Sequence, residues 1–243
     1  MLQEVSNAIA MNKYIKVHRI EGGFEKPLAG HHVYAKIVHN KLVDLSLRHT
    51  KTDKVLATVT SAQVNTFFNF VEDSYKSSSY RDVKNNPQWR AVYNVQDDTP
   101  HPYVHRTHGP MFKTEPTVSC RACGIVLPLK VTTVDHQAPQ TGGDIGAICR
   151  IFRGLGLTLG APRGKKNKTA VQANAVAVGG TVPQLEGSWD ERYSFNDAGT
   201  IYYSIAKEAV QLGKLAGHCM QHMLNLRPVC GPCNSRLKNS GAF

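Results

Sequence analysis

Two Cys-x-x-Cys pairs, Cys120–Cys123 and Cys230–Cys233, stand more than a hundred residues apart in a chain of 243. Thiols spaced this way sit on one tight turn, and two such turns brought together make a closed four-sulfur shell for a tetrahedral ion. A chain that closes such a shell must bring residues 120 and 233 to one place, so everything between them leaves that point and returns to it. The amino-terminal stretch MLQEVSNAIAMNKYIKVHR is interrupted by Glu4, Asn7, Asn12 and Lys13, and does not read as an export signal. Without export the pairs read as a structural zinc site and not as disulfides. Cys149, inside the apolar run GAICRIF, reads as a small core residue.

The charge balance bears on the partner. Twenty-nine Lys and Arg against 18 Asp and Glu leave a formal net charge of +11, which favours a polyanion, nucleic acid before an acidic membrane. No stretch approaches the ~18 apolar residues that a membrane span needs, so a soluble protein is expected. It is expected to be cytoplasmic, with any delivery into another cell by a route independent of a signal peptide.

Around this constraint the rest of the chain divides. HHVYAKIVHN, KLVDLSLRHT and KVLATVTS alternate apolar with polar residues, with turn signals at Asn40 and Asp53, and predict three antiparallel strands in a meander. Ser61 is positioned to cap a following helix whose Val64, Phe67, Phe68 and Val71 recur at helical spacing. The proline- and histidine-rich stretch from Ser77 to Pro116 reads as a connector, with His101, His105 and His108 as loop histidines. From Gly154 to Glu186 glycine, alanine and lysine crowd together, which suggests an inserted hairpin or loop. Its Arg163, Lys165, Lys166 and Lys168 either follow a phosphate backbone or form a solvated run. SFNDAGTIYYSIAKEAVQLGKLAGHCMQHML predicts one long amphipathic helix, capped near Asp197 and bent at Gly213 or Gly217, that packs His218 and His222 beside the metal site.

The residues that follow each Cys-x-x-Cys pair carry the chemistry. VTTVDHQAP, a β-rich run ending in Asp135 and His136, follows the first; Asn225 in NLRPVC precedes the second, and CNSRLKN with Asn234 and Lys238 continues from it. Taken in order, these pieces resemble an HNH endonuclease of the ββα-metal fold built on a treble-clef-like zinc knuckle. The resemblance implies that Cys120, Cys123, Cys230 and Cys233 hold structural zinc, and that Asp135 and Asn234 hold a catalytic divalent cation, Mg²⁺ or Mn²⁺. It implies His136 as the general base and Asn225 as the middle residue of the motif, orienting the His136 loop. Lys238 or Arg236 would contact the scissile phosphate. The stretch between His136 and Asn225 is far longer than in compact members of that family. If the long helix does not deliver Asn225 to the second strand, Asn174, Asn196 or another residue takes that position. AGHHVYAK is similar to the Gly-His-His signature of another branch of nuclease toxins, but His31 and His32 open a predicted strand and read as paired surface histidines.

The expected protein is therefore α+β. A small β-meander and helix with their connector occupy residues 1–110, and residues 111–243 form a zinc-stapled nuclease domain with an insertion over 150–200. It would hydrolyse DNA. An antibacterial effector, partnered in its producer by an immunity protein, is one setting; a restriction or phage-type endonuclease is another. A zinc module that binds nucleic acid without cutting it is the alternative from a different class.

Overall fold

The computed structural model describes residues 7, 9, 14–21, 24–75, 80–138, 140, 144–159, 194–210 and 212–237. Alternation along the first third builds an antiparallel meander of four strands, β1 (Tyr14–Glu21), β2 (Phe24–Val38), β3 (Lys41–His49) and β4 (Val55–Thr60). Asn40 and Asp53, the two turn signals, both have positive φ, a conformation that Asn and Asp tolerate better than most residues. Ile15, Val17, Val33, Ala35, Leu45, Leu47 and Val59 project from one face and are buried. Helix α1 (Ser61–Glu72) covers that face with Val64, Phe67, Phe68 and Val71, as its spacing predicts. Its cap is Thr60 and not Ser61: the Gln63 N–H donates to Thr60 Oγ1, and the Thr60 N–H donates to Gln63 Oε1, closing a capping box.

From Tyr80 on, the stretch expected as an irregular connector forms regular elements. Helix α2 (Tyr80–Val83) and helix α3 (Pro87–Val92), the latter capped by the Asn86 side chain, lead into β5 (Gln96–His105), β6 (Gly109–Ser119) and β7 (Val126–Pro128), a three-stranded antiparallel sheet. Prolines conceal this ribbon in the sequence because they usually demote a strand. Here Pro100, Pro102 and Pro110 lie along the paired β5 and β6, in a ribbon that leaves Val104 and Phe112 more than 70% exposed. His101 and His105 belong to β5, and His108 to the turn that joins it to β6.

After β8 (Thr133–His136) come helix α4 (Asp144–Gly154) and the short strands β9 (Thr158–Leu159) and β10 (Ser194–Phe195). Those two strands extend the meander, giving a six-stranded sheet in the order β4-β3-β2-β1-β10-β9. The boundary expected at residue 110 is thus crossed by a sheet, and one apolar core runs from Ile9 to Leu226. Phe67 of α1 stacks on Tyr202 with ring centres 4.3 Å apart, and Phe152 on Phe195 at 4.5 Å. Most of the expected insertion, residues 160–193 with Arg163, Lys165, Lys166, Lys168 and Asn174, lies outside the described residues.

The single long helix expected near the carboxyl end is two, α5 (Asp197–Ile205) and α6 (Leu212–Gln221), separated by a π-helical turn at Ala206–Val210. Asn196 caps α5 by accepting from the Gly199 N–H at 2.8 Å, and its Nδ2 donates to the Gly156 carbonyl. That engagement makes Asn196 a structural cap rather than a stand-in for Asn225. His218 and His222 face α1, not the cysteines: His218 pairs with Ser74 Oγ at 3.0 Å, and fully buried His222 bonds the Phe70 carbonyl at 2.9 Å. A 3₁₀ turn at Met223–Asn225 then delivers the chain into β11 (Leu226–Val229), followed by α7 (Gly231–Leu237). The fold is α+β. Among the described residues no helix is long and apolar enough to cross a membrane.

Candidate metal centre and the adjoining strand pair

The first Cys-x-x-Cys turn closes when the Gly124 N–H donates to the Cys120 carbonyl and the Cys120 N–H to the Ile125 carbonyl, each at 2.8 Å. Gly124 takes a positive φ of 78° there, which glycine adopts without strain. The second turn closes when the Asn234 N–H donates to the Cys230 carbonyl at 2.9 Å. Two bonds tie the turns together, from the Arg121 N–H to the Pro228 carbonyl at 3.0 Å and from the Cys230 N–H to the Cys120 sulfur at 3.3 Å.

All four sulfurs consequently lie within 4.8 Å of one another. A tetrahedral zinc with bonds of ~2.3 Å sets its sulfurs about 3.8 Å apart, and Cys123 and Cys230 are 3.9 Å apart, too far for a disulfide. The thiols are free cysteines, and the set can hold a structural metal ion such as zinc. Their electrostatics suit a cation. Burial opposes ionisation of Cys120, yet backbone N–H groups of Cys230, Cys123 and Ala122 bring its thiol down to about 6. Cys233, bonded to Cys230 and crowded by the other sulfurs, is pushed up to about 12. The remaining cysteines behave otherwise: burial alone raises Cys149 to about 12, as befits a core residue.

Strands β8 and β11 pair immediately beside this cluster, antiparallel, with Thr133 opposite Val229, Val134 opposite Pro228, Asp135 opposite Arg227 and His136 opposite Leu226. Directly opposed side chains share a face, so the Arg227 Nε and Nη2 both donate to Asp135 Oδ2, at 3.2 and 3.0 Å. Both bonds use one carboxylate oxygen. The pair is largely shielded, with 13% and 18% of the two side chains exposed.

Past His136 the chain turns, and Asn225 holds the turn. The Gln137 N–H donates to its carbonyl and the Ala138 N–H to its Oδ1, both at 2.8 Å, while its Nδ2 donates to the Met220 carbonyl at 2.9 Å. Asn225 is fully buried and its side-chain oxygen and nitrogen are both bonded. The His136 ring sits between two groups from elsewhere, the Tyr80 hydroxyl at 2.8 Å and Gln221 Oε1 at 3.4 Å from Nε2. Burial lowers the His136 pKa from its ordinary 6.5, against the Gln221 bond and the Asp135 charge, which raise it. Burial thereby favours the neutral ring. Trp89 Nε1 donates to the Leu226 carbonyl at 2.7 Å, and Lys84 Nζ to the Leu129 and Thr132 carbonyls, bracing the strand pair from behind.

No family model, curated protein or solved structure matches this chain. The site therefore rests on its own geometry.

Cys120, Cys123, Cys230 and Cys233 come together, as do Asp135, His136 and Asn225. Helix α7, which carries a half-buried Asn234 and the backbone of Arg236, lies against β8. Lys238 lies outside the described residues. Tyr80, Gln221, Arg227 and Trp89 were not expected at the site. Arg227 had a signal, because pairing the two knuckles makes NLRPVC the partner of TVDH and sets Arg227 opposite Asp135. Tyr80 and Gln221 had none, since only tertiary packing carries them to His136.

Proposed function

We propose that this protein is a metal-dependent endonuclease of the HNH type that hydrolyses DNA phosphodiester bonds. The observation that carries the reading is the placement of His136 at the end of one strand of a zinc-knuckle strand pair, with the loop after it clamped by an asparagine 87 residues away from Ala138 in sequence. A structural zinc alone needs no such clamp.

In this reading His136, neutral and half-buried, takes a proton from water as the water oxygen attacks phosphorus and the bond to the departing 3′ oxygen breaks. Asp135 and Asn234 would hold a divalent cation, which when bound offsets charge on the phosphate oxygens and the leaving group. The Asp135 carboxylate suits that task, since Arg227 engages one of its oxygens. Arg227 then orients the carboxylate, and the net charge of +11 supplies sequence-independent grip on DNA. The setting that best fits the reading is an antibacterial effector neutralised in its producer by an immunity protein; a restriction or phage-type enzyme would leave discrete fragments.

The close Asp135–Arg227 pair also favours a second reading, a zinc module that grips nucleic acid without cutting it, because the guanidinium competes with a cation for that carboxylate. Supercoiled plasmid separates the two. With zinc-loaded protein and Mg²⁺, nicking by the wild type and none by His136→Ala or in EDTA is the expected result. Intact plasmid in every lane, with the protein folded and retarding DNA, selects the binding module.

A further inference from the structure

The two polar groups around the His136 ring fix more than its position. The Tyr80 O–H donates to Gln221 Oε1 at 2.5 Å, and the same Tyr80 oxygen lies 2.8 Å from His136 Nε2. Gln221 Oε1 is itself 3.4 Å from Nε2. A hydroxyl has one proton to give and a carbonyl oxygen has none. Once the Tyr80 proton is spent on Gln221, both groups facing Nε2 can only accept. The hydrogen bonds are satisfied only if Nε2 carries the ring proton.

Both acceptors are themselves held. The Tyr80 ring meets the His136 ring edge-on at 5.5 Å and 68°. Gln221 ends α6, and its carbonyl accepts from the Tyr75 N–H at 2.8 Å. Tyr80 and Tyr75 flank the link between α1 and α2, so the stretch before the first zinc knuckle supplies one acceptor and pins the other.

We propose that Tyr80 and Gln221 are positioning residues that lock His136 as the Nε2–H tautomer and thereby leave Nδ1 as the bare, proton-accepting nitrogen. This rests on the nuclease reading for its use, but not for its test. A catalytic imidazole works only with the lone pair on the nitrogen that faces its substrate, and the bond at the other nitrogen decides which that is. Neither Tyr80 nor Gln221 touches the substrate in this scheme; each acts through the ring.

The tautomer is read directly from long-range ¹H–¹⁵N correlations of uniformly labelled, zinc-loaded protein at about pH 8, where an ordinary histidine is neutral. The His136 pattern is assigned as the one missing from His136→Ala. The Nε2–H pattern is expected in the wild type, a mixture of tautomers in Tyr80→Phe/Gln221→Leu, and recovery of Nε2–H in Tyr80→Phe/Gln221→Glu, which restores an acceptor. An Nδ1–H pattern in the wild type, as a reversed Gln221 amide would produce, overturns the proposal whether or not any variant folds poorly. An unchanged pattern in the Tyr80→Phe/Gln221→Leu variant overturns it as well. Plasmid nicking gives the second arm: the same double variant is expected to lose at least about tenfold in kcat at unchanged KM, a part of the ~10²–10⁴-fold that general-base catalysis contributes. An Nε2–H tautomer together with no cleavage by any protein upholds the hydrogen-bond assignment and sinks the nuclease reading instead.

Discussion

His222 shows how much one side chain can make stability depend on acidity. Burial holds its pKa down at about 4, against the bond to the Phe70 carbonyl, with nearby His218 lowering it further. The unfolded ring titrates at its ordinary 6.5, so between about pH 6.5 and 4 the unfolded chain binds the proton that the folded one refuses. Stability is then full above pH 6.5 and lost progressively as pH falls toward 4, by about 3 kcal/mol if His222 acts alone. Urea unfolding at pH 7.5 and pH 4.5 is expected to show that loss, with a smaller difference in His222→Gln. Asn225 shows the other side of reading single residues. The family resemblance implies it as the residue that orients the His136 loop, and in the structure it accepts from the Gln137 and Ala138 N–H groups. Tyr80 and Gln221 carry no such mark, because a hydroxyl and an amide are unremarkable until packing aims them at one ring nitrogen.

Legibility among the elements follows the same division between local and distant causes. The strands β2, β3 and β4 and helix α1 could be read because alternation, turn residues and helical spacing all act within a few positions. The β5–β6 ribbon could not, since its strands are proline-rich and its pairing depends on the partner and not on burial. The break in the predicted long helix is equally silent, for Gly213 and Gly217 meet nothing and lie within or beside an intact α6. The informative glycine is Gly199, in the first turn of α5. A Cβ there would stand 2.3 Å from the Leu157 carbonyl oxygen, an atom of the backbone that cannot rotate aside, and that carbonyl already accepts from the Asn196 N–H. Gly199→Ala should therefore cost roughly 1–3 kcal/mol through overpacking despite alanine's better helix propensity, whereas Gly217→Ala should be neutral or mildly stabilising. Thermal melts of the two variants measure the contrast.

At the scale of the molecule the strand pair beside the four cysteines should unfold together with the meander, since Leu226 belongs to the apolar core that the meander builds and Val134 packs against it. Strands β9 and β10 come from the far side of β8 yet complete the sheet begun by β1 to β4. Trp89 and Lys84, from before the first cysteine pair, brace the strands that carry His136 and Leu226. A fragment of residues 111–243 loses α1, most of the sheet and both braces, so it should give the narrow amide dispersion of an unfolded chain even with zinc supplied. A well-dispersed spectrum of that fragment would show two independent domains. The same integration sets a tempo. Arg227 must find Asp135 across 92 residues, and the Cys230 N–H must find Cys120 across 110, before a single bond of that strand pair repays the entropy of closing the loop. Local hairpins form early in such a chain. The strand pair beside the cysteines is assembled from distant sequence partners, so refolding should restore it after the local hairpins of the meander, and a newly made molecule passes through an interval in which its four thiols are not yet gathered.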